Sequence, residues 1–194
     1  MKRLEFFKQN FKLIENCAKT VFDLHSKENK NYGILPYSVH LTVTVNNIIK
    51  YSEYLNEELT DEELFVLIIA GFYHDTLEDL SVTYNELHDI FLNKLNIKIS
   101  LIDDILTLVK SLSTQKTGTR KERHSDSYYK QIRETKFASF VKMCDRVANL
   151  QLIYPYSINK LAMYQKESIS FLSSLNLNEI PNELIKEYEN LLQN

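Results

Sequence analysis

Apolar residues recur at three- and four-residue spacing along most of the chain, the period of a helix that buries one face. Phe7, Phe11, Ile14, Ala18 and Val21 form one such stripe, and Leu41, Val45, Ile48, Ser52 and Leu55 form a second, apolar except at Ser52. The stretch 29–36 between them reads as a loop. Thr60 with Glu63, and Thr83 with Glu86, have the spacing of capping boxes, in which hydroxyl and carboxylate satisfy backbone N–H groups at a helix start. They predict helices beginning near Asp61 and Tyr84. Further helices are predicted over 100–112, 126–133, 136–153, 157–175 and 181–192, the last with Pro181 at a first helical position, where its missing N–H costs little. With only three Gly and three Pro and no hairpin dipeptide, the pattern predicts an all-α bundle of about 8–10 helices.

Composition narrows the picture. A chain of 194 residues that is 44% hydrophobic fits one domain with a substantial core, and no repeat or linker divides it, so 1–194 is expected to be a single unit. Lys and Arg number 23 against 26 Asp and Glu, a net charge of -3. That balance lacks the basic excess of a dedicated nucleic-acid binder and leaves room for a small anionic ligand. Cys17 and Cys144 stand far apart with no CxxC or Cys/His zinc pattern, which points to a reduced, cytoplasmic protein. The opening MKRLEFFKQNFKLIENC breaks its apolar residues with charges, unlike a secretory signal. No apolar stretch reaches the roughly 18 residues of a membrane span.

Two segments carry candidate chemistry. The stretch GFYHDTLEDL, residues 71–80, sets His74, Asp75, Glu78 and Asp79 so close that they need water or a cation among them, since like charges at short range resist ionising together. Residues 113–127, STQKTGTRKERHSDS, hold Lys116, Arg120, Lys121, Arg123 and His124 and read as a long polar loop, either a solvated connection or a grip for phosphate. In chain order the candidate metal ligands are His40, His74, Asp75 and Asp145. Imidazole with carboxylate suits Mn, Fe, Zn or Mg, and four such ligands leave positions for water and substrate. Spacing does not bring the helices that carry them together, and a lone His such as His40 also fits an ordinary core position.

YSVHLTVTVNNI, FYHDTLEDLSVTYNEL and VKMCDRVANL together resemble the H...HD...D signature of the HD phosphohydrolase superfamily. The His-Asp pair followed by Glu78-Asp79 resembles, more narrowly, the RelA/SpoT-type hydrolases, which remove pyrophosphate from the 3′ position of guanosine tetra- and pentaphosphate (ppGpp and pppGpp). The resemblance runs from about Gly33 to Asn149. It implies a single HD-domain helical bundle in which His40, His74, Asp75 and Asp145 hold one divalent metal, usually Mn2+. It implies that Glu78 and Asp79 orient and deprotonate the attacking water, and that Asn149, on the same helix face as Asp145, touches the substrate. Lys30, Lys142, Arg120, Lys121 and Arg123 are the cations expected near phosphate, whereas Arg146 is expected to tie helices together and Cys144 to fill core. The implied partner is a small phosphorylated nucleotide, with no nucleic acid and no membrane.

The sequence also departs from that family. An Arg-Lys pair usually precedes a Ser-Gly-Glu-Pro-Tyr turn; here the turn reads KNYGILPY and the Arg is absent. Leu41 stands where Pro is usual, and Leu152 where Thr is. Chemistry is therefore better indicated than substrate. NADPH phosphatase or nucleoside monophosphatase activity, or a non-catalytic metal- or nucleotide-binding module, are the alternatives.

Overall fold

The computed structural model describes residues 2–114, 117–153 and 158–193, so Lys116 lies outside the described residues, as does the side chain of Lys121. Helix α1 (Lys2–Lys27) turns Phe6, Cys17, Thr20, Val21 and His25 inward. The expected stripe largely lies on this side: Val21 is buried and Phe7, Ile14 and Ala18 pack against the core, but Phe11 is 62% exposed. The fully buried line runs through Phe6 and Cys17, one residue earlier than Phe7 and Ala18, so the buried face is wider than the stripe.

The expected loop at 29–36 is instead a small hairpin. β1 (Asn31–Tyr32) pairs antiparallel with β2 (Leu35–Pro36), Tyr32 opposite Leu35. Gly33 turns the chain with φ +64°, a left-handed conformation that glycine adopts without a Cβ clash. This turn aims Tyr32 at the helix that follows.

α2 (Tyr37–Tyr51) buries Leu41, Val45 and Ile48 as the second stripe predicts. α3 (Asp61–Tyr73) opens with the Thr60–Glu63 capping box and is buried without interruption from Leu64 to Tyr73. α4 (Thr76–Asp79) is one turn. α5 (Tyr84–Asp89), capped by Thr83 and Glu86, widens into a π-helical turn over Ile90–Lys94. α6 (Ile99–Leu112) leads into the basic segment, which is not wholly loop: Thr119 and Glu122 form a third capping box that starts the single turn α7 (Arg120–Arg123). α8 (Asp126–Glu134), α9 (Ala138–Ile153), α10 (Ile158–Ser173) and α11 (Asn182–Gln193) complete the bundle.

The centre is made by α3 and α9. α2 packs against both, α1 and α6 flank α3, and α8, α10 and α11 cover α9. Gly71 allows α2 and α3 to meet closely: a Cβ there would overlap Ile48 Cδ1 and lie 3.2 Å from Val45 Cγ2. Cys17 and Cys144 are free and fully buried. Burial pushes the Cys17 thiol up to about 12 and Cys144 well above its ordinary value, as befits packing groups rather than nucleophiles. Among the described residues, no helix is long and apolar enough to cross a membrane.

Candidate metal centre

His40, His74 and Asp145 bring donor atoms within 4.8 Å of one another, and Asp75 adjoins the two histidines. His40 lies in the first turn of α2, His74 caps the end of α3 with Asp75 directly after it, and Asp145 lies within α9. The Nε2 atoms of the two histidines are 3.3 Å apart. Asp75 Oδ2 is 3.4 Å from His40 Nε2 and 3.0 Å from His74 Nε2, and Asp145 Oδ1 is 3.3 and 3.5 Å from the same atoms. His40, His74 and Asp145 are buried, and Asp75 is partly open.

These separations fit a shared cation. Ligands bonded at about 2.0–2.2 Å to one ion stand roughly 3.0 Å apart on an octahedral edge and 3.5 Å on a tetrahedral one. His74 Nδ1 is 2.8 Å from the carbonyl of Gly71; donation of its proton there leaves the Nε2 lone pair directed at the centre. The charge distribution also suits a cation. Burial alone would raise the Asp145 carboxyl, but Lys142, then His40 and His74, hold it well below the usual range. Asp75 is held down in the same way, chiefly by His74 and His40 against burial. Burial likewise opposes charge on the two histidines, and the two carboxylates reverse this and raise both. Two ionised carboxylates facing two imidazoles suit a hard or borderline dication, which would take the place of the protons that the carboxylates favour on the histidine nitrogens.

A second layer holds the ligands. Lys142 Nζ donates to Asp145 Oδ2 at 3.0 Å, and Asn149 Nδ2 donates to Asp145 Oδ1 at 2.6 Å. The Tyr37 hydroxyl donates to Asp75 Oδ2 at 2.6 Å. Sequence reasoning passed over Tyr37, although its place one helical turn before His40 is a usable signal. It also passed over Tyr32 and Lys160, whose Nζ lies 5.5 Å from the centre of the Tyr32 ring; no sequence spacing marks these.

The two carboxylates of α4 differ in setting. Glu78 is held at both oxygens, Oε1 by Arg123 at 3.0 Å and Oε2 by the backbone N–H of Thr114 at 3.0 Å. Asp79 has Lys30 at 3.8 Å, and burial, followed by the Asp75 charge, raises its pKa. Arg123 and Lys30 thus reach the site's edge. Arg120 instead makes a two-pronged pair with Glu167 of α10 at 2.9 Å. Arg146 is stacked between Tyr164 and Phe171, 4.4 and 4.1 Å from the ring centres, with Glu167 at 3.4 Å, so it joins α9 to α10 as the sequence suggests.

No protein-family model matches the sequence. The chain does resemble a solved structure of a metazoan orthologue of SpoT, described as hydrolysing ppGpp and playing a role in starvation responses. The TM-score is 0.64 at 15% sequence identity, over 93% of this chain and 94% of that one. This is a likeness of fold, and the fold of the chain is accordingly an HD-like helical bundle.

Proposed function

We propose that this protein is a metal-dependent phosphohydrolase that converts guanosine 3′,5′-bis(diphosphate), or its pentaphosphate, to GDP or GTP and pyrophosphate. The observation that carries the reading is the pair of imidazoles 3.3 Å apart, each with both carboxylates at 3.0–3.5 Å, and with Glu78 and Asp79 one turn beyond them. His40, His74, Asp75 and Asp145 hold the ion, for which Mn2+ is the candidate. When bound, a divalent cation supplies a Lewis acid for the phosphoryl oxygen and lowers the pKa of water beside it.

The chain's own residues do the rest. Asp79, whose pKa is raised by burial and by the Asp75 charge, takes a proton from the attacking water. Glu78, fixed at both oxygens, orients that water. Lys30 and Arg123 offset the charge that accumulates on the leaving pyrophosphate. Lys142 and Asn149 act on the Asp145 side, and Arg120 anchors the basic segment to α10; Lys121 is a further candidate for phosphate.

The test is pyrophosphate release from ppGpp by purified protein stripped with chelator and reloaded with Mn2+. Release that stops on chelation and returns with Mn2+ is expected. Hydrolysis of NADPH or a nucleoside monophosphate in place of ppGpp would overturn the substrate, and metal binding without turnover of any of these would overturn the enzyme reading.

A further inference from the structure

Asn149 is fully engaged with its neighbours. Its Nδ2 donates to the Asp145 carbonyl at 2.9 Å and to Asp145 Oδ1 at 2.6 Å, and its Oδ1 accepts from the hydroxyl of Tyr32. Polarity fixes this arrangement. An ionised carboxylate only accepts, so the amide NH2 must face Asp145 and the amide oxygen must face away, where only a donor suits it. The Tyr32 hydroxyl is that donor, and burial raises its pKa so that it stays protonated. Turning the amide over would set its oxygen against the carboxylate and leave the phenol without its acceptor.

The same tyrosine touches a second ligand. Its ring lies flat on His40, with ring centres 4.9 Å apart and planes 8° from parallel. The oxygen that Asn149 holds, Asp145 Oδ1, is the one that faces His40 and His74 at 3.3 and 3.5 Å. Tyr32 itself is held by the hairpin turn at Gly33.

We propose that Tyr32 is a positioning residue of the metal centre: its hydroxyl fixes the Asn149 amide, and through it the direction of Asp145 Oδ1, tying the hairpin to a ligand on α9. The inference rests on the metal-centre reading above. It moves Asn149 from substrate contact to ligand support, because both its amide protons are used within the protein. It also gives the hairpin, which lacks the Arg usual in the resembling family, a function of its own.

The experiment is a double-mutant cycle read by Mn2+ affinity, using calorimetric titration of chelator-stripped protein, with no substrate present. Tyr32→Phe keeps the ring on His40 and removes only the hydroxyl. It should weaken Mn2+ about tenfold, the lower end for outer partners of metal ligands, with little change in the melting temperature of the stripped protein. In an Asn149→Ala background the same substitution should have no further effect; Asn149→Ser serves as a second background if Asn149→Ala does not fold. Unchanged affinity in Tyr32→Phe, or an equal loss in both backgrounds, overturns the proposal. Wild-type protein that binds no Mn2+ overturns the metal centre itself, and an inactive protein that shows the expected cycle overturns only the proposed reaction.

Discussion

His25 gives a pH dependence that can be worked out from the structure. It sits in the last turn of α1, 1% exposed, with its ring stacked on Tyr37 at 4.3 Å and 5°. Neither ring nitrogen has a hydrogen-bond partner among the described residues. Burial lowers its pKa to about 4, from an ordinary value of 6.5. The unfolded chain therefore takes up this proton first as pH falls, and the folded state loses relative stability from pH 6.5 down to about 4. Each pH unit is worth about 1.4 kcal/mol, so the loss at pH 5 is about 2 kcal/mol. His25→Phe keeps an aromatic ring on Tyr37 and removes the titration. Urea denaturation of chelator-treated wild type and His25→Phe at pH 7, 6 and 5 isolates the effect, chelation being needed because metal binding is itself proton-linked. The variant should gain about 2 kcal/mol on wild type between pH 7 and 5. Parallel stability curves would refute a buried, neutral His25.

Asp75→Ala should lose at least about 100-fold in Mn2+ affinity together with activity while its circular dichroism is unchanged; an active variant would sink the site. Glu78→Gln should keep Mn2+ and lose about 100-fold in kcat, and wild-type turnover would remove Glu78 from water handling. Gly71→Ala presses a methyl group against Ile48 and should cost about 1–3 kcal/mol in urea denaturation, whereas a neutral result would mean that α2 and α3 part without strain. Arg146→Ala removes a cation held between Tyr164 and Phe171 and should cost about 2–3 kcal/mol by the same assay; a loss below about 0.5 kcal/mol would make the stacking incidental.

Helices were legible where an apolar repeat, with or without a capping box, signals them. The capping boxes at Thr60 and Thr83 start helices one residue later, at Asp61 and Tyr84, and the stripe of α2 is buried. The stripe on α1 missed only at Phe11 and omitted Phe6 and Cys17, because spacing gives a period without marking where the buried arc is centred. The hairpin was missed because a two-residue strand is too short for alternation to register. α7 was missed although Thr119 and Glu122 carry the same signal as Thr60 and Glu63, since no apolar run follows it. The four candidate ligands were nameable from their residue types and a resemblance. Their convergence is tertiary and depends on contacts such as Gly71 against Ile48, which one-dimensional spacing does not encode.

The basic segment shows why charge alone left its role open. Arg120 and Arg123 stand three residues apart on one helical turn, yet they bind acids on opposite sides: Glu167 on α10 and Glu78 on α4. Both pairs are partly solvent-exposed, and such ion pairs contribute little stability singly. Their consequence is geometric. The backbone N–H of Thr114 also holds Glu78, so the segment spans from α10 to the edge of the metal centre and meets one of its carboxylates at both ends of the connection. A phosphate arriving beside Glu78 would compete for Arg123 while Arg120 kept its partner on α10. Its described residues thus tie the segment down at Glu78 and Glu167. In the proposed reaction, Arg123, paired with Glu78, would be the cation that an anionic substrate exchanges with.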